Sequence, residues 1–278
     1  MSAMNTTKTL SRVSNSSVLR NLNAILTIAY RDVMKFLRDP ARLVGTFIFP
    51  LFFVGVLGGS LQANLGAGVG YNLLDVTFTG IFAMTLFQST SQGIISLIED
   101  RENDFSQEIF IAPISRYAIV FGKIAGESLV ALAQGVAIVL FAVVAQVTLS
   151  PVRLLGLALT GIVACLLGGA FGIMLIGNFN SQRVANQILP YLIFPQFFLA
   201  GIFYPVRTLP WYLDILSRLS PLRYAVDFTR NLFYAPGSPE YDRVVLAGPA
   251  LNLTVLAVMF VIFLVIGTAL FVRRERNR

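Results

Sequence analysis

The chain of 278 residues is 56% apolar and only 13% charged, with a mean hydropathy of +0.74, which excludes an ordinary soluble domain, where about a quarter of residues are charged. It has no histidine and one cysteine, Cys165, so histidine-based metal centres, Cys/His nucleophile pairs and intrachain disulfides are excluded by inventory. The net charge of +7 gathers beside the apolar runs and reads as membrane orientation, not as nucleic-acid binding.

Residues 1–17 are rich in Ser, Thr and Asn, with few large apolar groups to offset ordering, and are expected to form a disordered tail. The first long apolar run begins only after Arg42, too late and too long for a cleavable signal. In the segment 18–41, Leu22, Ile25, Ala29, Val33 and Phe36 recur at helical spacing, with Arg31, Lys35 and Arg38 on another face. This predicts an amphipathic helix on the cytoplasmic membrane surface, with packing against protein as the alternative. Arg38-Asp39-Pro40 ends it.

A spanning helix needs about 20 apolar residues for roughly 30 Å of hydrocarbon. Six stretches qualify, near 43–61, 76–98, 128–149, 154–177, 184–206 and 244–272, within a transmembrane region 42–272 followed by a basic tail, 273–278. The fold class is therefore an all-α integral membrane protein. Lys and Arg divide fifteen to six between alternate segments, which places both termini in the cytoplasm, although five arginines in 207–243 vote the other way.

In the second stretch, Thr85, Gln88, Ser89, Gln92 and Ser96 share one helical face, either a wet pathway or a set of interhelical hydrogen bonds. Five of the fourteen acids fall between Glu99 and Glu108, inside the longest polar interruption, 99–123. There Asp100, Asp104 and Glu108 would line one helical edge beside Arg101, Phe105 and Ile109, as a docking strip or a solvated face. The fourth stretch carries Gly161, Cys165, Gly168 and Gly172 on a common face, suited to close helix packing. Pro190 and Pro195 predict a kink or break in the fifth, which would let it bend during transport.

Between Arg207 and Arg243, two short amphipathic helices are predicted, one through Trp211, Ile215 and Leu219, the next opening at Ser220-Pro221. They read as an external re-entrant hairpin that serves as a lid or an interfacial anchor. No P-loop occurs: Gly122-Lys123 is followed by Ile124, and Tyr117 stands where the leading glycine belongs. No Asp, Glu, Lys, Arg or His falls inside the six stretches away from their ends, which disfavours an ion-coupled transporter.

Four motifs now resemble one family. They are Arg38-Asp39-Pro40; Asp100-Arg101-Glu102 with Ala112-Pro113-Ile114-Ser115-Arg116 and Gly122-Lys123; Phe198-Leu199-Ala200-Gly201-Ile202-Phe203-Tyr204-Pro205 with Leu209-Pro210; and Ser220-Pro221-Leu222-Arg223-Tyr224-Ala225-Val226-Asp227. Together they resemble the permease subunits of ATP-binding-cassette exporters of the second type, especially the drug-resistance branch related to daunorubicin exporters. The pattern departs at Asn103-Asp104-Phe105, where a glycine is expected soon after the Arg-Glu pair.

The resemblance implies two permease copies, identical or paralogous, and two separate subunits that bind ATP and Mg, so this chain would bind no cofactor and be no enzyme by itself. It implies export across the cytoplasmic (inner) membrane, with the second and fifth spans facing the pathway. ATPase coupling is then assigned to Arg101, Glu102, Asp104, Phe105, Glu108, Ile109, Pro113, Ser115, Arg116 and Lys123. Pathway candidates are Thr85, Gln88, Ser89, Gln92, Ser96, Pro190 and Pro195. An external gate falls to Phe203, Tyr204, Pro205, Trp211, Pro221, Tyr224 and Asp227. The uncharged interior favours a lipophilic or amphiphilic cargo; a non-transporting membrane scaffold or a passive channel is the competing reading.

Overall fold

The computed structural model describes residues 3–102, 115–176, 178–179, 181–207 and 209–276. Helix α1 (Ala3–Leu37) extends back through the segment whose composition favoured an unordered tail. It holds neither Gly nor Pro, so nothing in the backbone stops it. Of its predicted apolar stripe, Ala29 and Phe36 are buried with the neighbouring Ile28, and Ile25 and Ala29 lie against Gly122 and Gly126 of α6 (Arg116–Val144), while Leu22 is exposed. Leu19, Leu22, Leu26 and Tyr30 stay exposed on a separate side.

The first span is α2 (Pro40–Leu51), a π-helical segment (Phe52–Gly58) and α3 (Gly59–Val69) in continuous register. Asp39 caps it, accepting from the Arg42 N–H at 2.9 Å, with Pro40 at the first helical position. Pro50 supplies no N–H, and the hydrogen-bond ladder widens directly after it. Gly70 turns the chain in the left-handed region (φ 72°), and Asn72 caps α4 (Leu73–Gly93) through the N–H groups of Leu74 and Asp75. α5 (Ser96–Glu102) prolongs α4 toward the polar interruption.

Beyond it come α6, α7 (Pro151–Ile176), α8 (Gln182–Leu199), α9 (Trp211–Leu219), α10 (Pro221–Phe233), α11 (Pro239–Val244) and α12 (Pro249–Arg276). Helix α4 is the centre of the bundle, packed against α6, α7 and α10, and α12 backs α7. The small-residue face of α7 is what lets α4 so close. Ser91 Oγ donates to the Gly168 carbonyl at 2.8 Å, and a side chain at Gly168 would run into the Phe87 carbonyl.

Among the described residues, five helical runs are long and apolar enough to cross a membrane: Pro40–Val69, Leu73–Asp100, Arg116–Val144, Pro151–Ile176 and Pro249–Arg273. The fifth predicted stretch, 184–206, holds the 18-residue α8, which rises about 27 Å. Its ladder is interrupted at Pro190 and Pro195, and Gly201 in the left-handed region (φ 69°) ends it before Phe203-Tyr204-Pro205.

Both helices predicted between 207 and 243 are present, but they differ. Helix α9 is exposed, with Trp211 at 77%. Helix α10 is buried in one end of the bundle against α4, α7 and α12.

Candidate functional site

A cleft of about 480 Å³ opens between α2, α4, α5, α6 and α8. All five residues of the predicted polar stripe, Thr85, Gln88, Ser89, Gln92 and Ser96, line it. Gln134 of α6 faces them, Arg42, Thr46, Phe49 and Pro50 form a second wall, and Gln182 and Asn186 a third. Helical periodicity places the stripe on one side of α4, while the apolar residues around the rest of that helix are buried in the bundle. The other pathway candidates, Pro190 and Pro195, do not reach the cleft; they lie on the exposed side of α8, away from the buried Leu189 and Ile193.

An aromatic cluster adjoins the cleft. Phe49 packs on Phe53 at 4.3 Å between centroids, and Phe53 stacks on Phe203 at 5.7 Å, so the first gate candidate joins the first span to the segment after α8. Of the others, Tyr204 and Trp211 are exposed and Pro221 is buried. The Tyr224 hydroxyl donates to the Arg218 carbonyl at 3.0 Å, and Asp227 accepts from the N–H groups of Leu246 and Ala247 in the segment leading into α12.

At the opposite end, a second cavity of about 290 Å³ shares Arg42, Ser96 and Glu99 with the cleft and continues it into a charged cluster. Lys123 Nζ lies 2.7 Å from Asp32 Oδ2 and 2.9 Å from Glu127 Oε1, and Arg42 reaches Glu127 at 3.5 Å. Glu127 sits over the backbone of Gly93, where a side chain would collide with its carboxylate. Lys123, named for ATPase coupling, is 1% exposed and pairs within the chain. Helix α6 begins at Arg116, ahead of the predicted stretch from 128, and Lys123 and Glu127 in its early turns are buried as a mutual pair.

The polar interruption is anchored to α1. Asp100, expected to face outward in an acidic strip, is buried and accepts from Arg31 Nη2 at 2.6 Å and Lys35 Nζ at 3.3 Å. Burial disfavours the Arg31 cation, yet the carboxylates of Asp100 and Asp32 outweigh it and raise its pKa above the ordinary value. Glu99 accepts from Gln182 of α8 at 3.2 Å. Ser115 caps α6 through the Ala118 N–H, and its own N–H donates to Asn21 Oδ1 of α1 at 3.1 Å. Arg116 donates to the Val272 carbonyl of α12 at 3.4 Å. Arg101 and Glu102 close α5, while Asp104, Phe105, Glu108, Ile109 and Pro113 lie outside the described residues.

Sequence reasoning missed the Asp32–Lys123–Glu127 cluster. A signal was present: an opposite-charge pair at i, i+4, interleaved with Gly122 and Gly126 one turn apart, marks a helix face close enough to a neighbour to bury charge.

Long apolar helices, packed through small residues around a polar cleft, make this an all-α integral membrane protein. Residues 23–234 match the family model described as ABC-2 type transporter, which covers most of the chain, and the chain belongs to that family as a membrane transport permease. It is 24% identical over 216 residues to ycf38 of Cyanophora paradoxa, a protein named a transport permease, covering 76% of this chain and 74% of that one. It is 25% identical over 216 residues to the inner membrane transport permease YadH of Escherichia coli K12, covering 76% of this chain and 82% of that one.

Proposed function

We propose that this permease is the transmembrane subunit of an ATP-driven exporter that moves a lipophilic or amphiphilic cargo, of drug, lipid or glycan type, out of the cytoplasm or inner leaflet. The observation that supports this most is the cleft, where a stripe of hydroxyl and amide side chains on α4 meets the aromatic Phe49 wall. Such a lining suits a cargo with one polar and one apolar part. A second permease copy, identical or paralogous, completes the pathway on the open side.

Energy enters through the segment 99–123, gripped by a separate subunit that binds ATP and Mg. That segment is tied to α1, α8 and α12 and runs into α6, so a push on it reaches the α6 and α8 walls of the cleft. The buried acid and base of α6 are paired with each other. Both termini face the cytoplasm of the inner membrane, α8 with the residues after it serves as a sixth span, and the exposed Leu19, Leu22, Leu26 and Tyr30 of α1 rest on the inner membrane surface. Helices α9 and α10 form the outer hairpin. The resemblance to the drug-resistance branch supports an amphiphilic drug as the first cargo to test.

Reconstitution with the P-loop ATPase encoded beside it tests this reading. Efflux of a fluorescent amphiphile should require ATP hydrolysis and persist after a protonophore collapses the proton gradient. Flux without ATP would make the protein a passive channel, and its absence under all conditions a scaffold.

A further inference from the structure

Helix α10 holds the ends of three other helices with two side chains one turn apart. Asp227 accepts from the N–H groups of Leu246 at 2.8 Å and Ala247 at 2.9 Å and from Asn252 Nδ2 at 2.7 Å, tying the segment that leads into α12, and Asn252 in its first turn, to α10. Arg230 does the converse. Its Nη2 donates to the carbonyls of Gly201 at 2.6 Å and Ile202 at 3.2 Å, the turn that closes α8, and to Val76 in the first turn of α4 at 3.4 Å.

Arg230 is 0% exposed, with no carboxylate within ion-pair distance among the described residues. Its cation is met by the carbonyls of the turn that follows α8, with Asp227 one turn away on its own helix. The grip runs through a single nitrogen, since Nε and Nη1 have no hydrogen-bond partner among the described residues. The same turn lies directly on α4: a side chain at Gly80 would run into the Ile202 carbonyl. Thus α4, which carries the polar stripe, and α8, whose first turns line the cleft, are drawn together at the end remote from the charged cluster.

We propose that Arg230 is the latch of the outer gate. While Nη2 holds the Gly201–Ile202 turn against Gly80, the cleft is closed at this end; releasing the turn opens it for cargo to leave. The inference rests on the transport reading above and adds the residue that controls exit. Two features suit release. Pro190 and Pro195 interrupt the α8 ladder, so its end can swing without unravelling the first turns at Gln182 and Asn186. The hydrogen bonds that must break end on neutral carbonyls, which water can serve as it enters.

The test uses the full chain with Cys165→Ala and Gln88→Cys, a cleft position, in sealed vesicles treated with a membrane-impermeant maleimide from the side that exposes Ser238. Arg230→Gln should raise the labelling rate about tenfold by shifting the gate toward open. Arg230→Lys should stay within about twofold, because one cationic donor is all that the grip uses. Gly80→Ala leaves Arg230 intact but wedges the turn off α4, and should label like Arg230→Gln. It carries the test if Arg230→Gln fails to fold, and melting of each purified variant separates gating from misfolding. Unchanged labelling in either folded variant overturns the latch, as does Arg230→Lys labelling as fast as Arg230→Gln. ATP-driven flux of the wild-type protein is measured beside it. Intact flux with flat labelling removes the latch alone, whereas absent flux with the labelling contrast preserved removes the exporter reading and leaves the gate geometry standing.

Discussion

Lys123 of α6 and Asp32 of α1 meet at 2.7 Å across 91 residues of sequence, each with 1% of its side chain exposed. Glu127, one turn further along α6, shares the same ammonium at 2.9 Å. The amphipathic helix is therefore fastened to the bundle by a buried charge, and its close approach at Gly122 and Gly126 brings the partners into range.

Lys123→Met leaves the buried carboxylates of Asp32 and Glu127 with only the more exposed Arg31 and Arg42 as partners and should cost about 3–5 kcal/mol of stability. Asp32→Asn should cost less, because the Lys123–Glu127 pair survives it. The double variant Asp32→Leu with Lys123→Met should be more stable than Lys123→Met alone. Thermal unfolding in detergent reads all three; equal losses for the two single variants would show that Lys123 does not hold the cluster together.

Gly168→Ala should destabilise the bundle by about 1–3 kcal/mol, since the added methyl meets the Phe87 carbonyl of α4. Gly59 has open space around its Cβ position, so Gly59→Ala should be neutral or stabilising by about 0.5–1 kcal/mol. The same unfolding assay checks both, and a Gly168→Ala protein as stable as Gly59→Ala would contradict the close α4–α7 approach.

Orientation follows from the charge asymmetry. In a background lacking Cys165, Ser238→Cys should react with an impermeant maleimide from outside the cell, and a cysteine at Tyr117, itself exposed, only from the cytoplasm. Reaction of Ser238→Cys from the cytoplasmic side alone would invert the topology.

The acids of the polar interruption should divide into two kinds. Asp100→Lys places a third cation beside Arg31 and Lys35 and should lower stability whether or not an ATPase is present. Asp104→Lys and Glu108→Lys should instead weaken co-purification with the ATPase, most clearly at low salt. Phe105→Ala with Ile109→Ala should uncouple ATPase stimulation from cargo. Unchanged association of the Asp104→Lys, Glu108→Lys double variant at low salt would leave these acids as a solvated face.

How far the sequence carries can be read from particular residues. The stripe Thr85, Gln88, Ser89, Gln92 and Ser96 was legible because helical spacing is a local property, and all five line one cleft. The same holds for the two short helices α9 and α10, whose stop and start signals at Ser220-Pro221 lie within a few residues of one another. Hydropathy likewise showed a membrane protein, and five of its six apolar stretches are helices of spanning length. The charges of Lys123 and Glu127 were legible too, but not that Lys123 would bridge Glu127 and Asp32.

Partners are what only the tertiary structure decided. Asp32 neutralises Lys123, Arg31 and Lys35 neutralise Asp100, and Arg230 closes α8, each across tens of residues. No periodicity encodes such a pairing: it depends on the rotation and depth at which two helices meet, set by small residues such as Gly80, Gly126 and Gly168 where backbones touch. Sequence alone therefore determined which faces are polar, while packing decided whether each polar face meets water, cargo or an opposite charge.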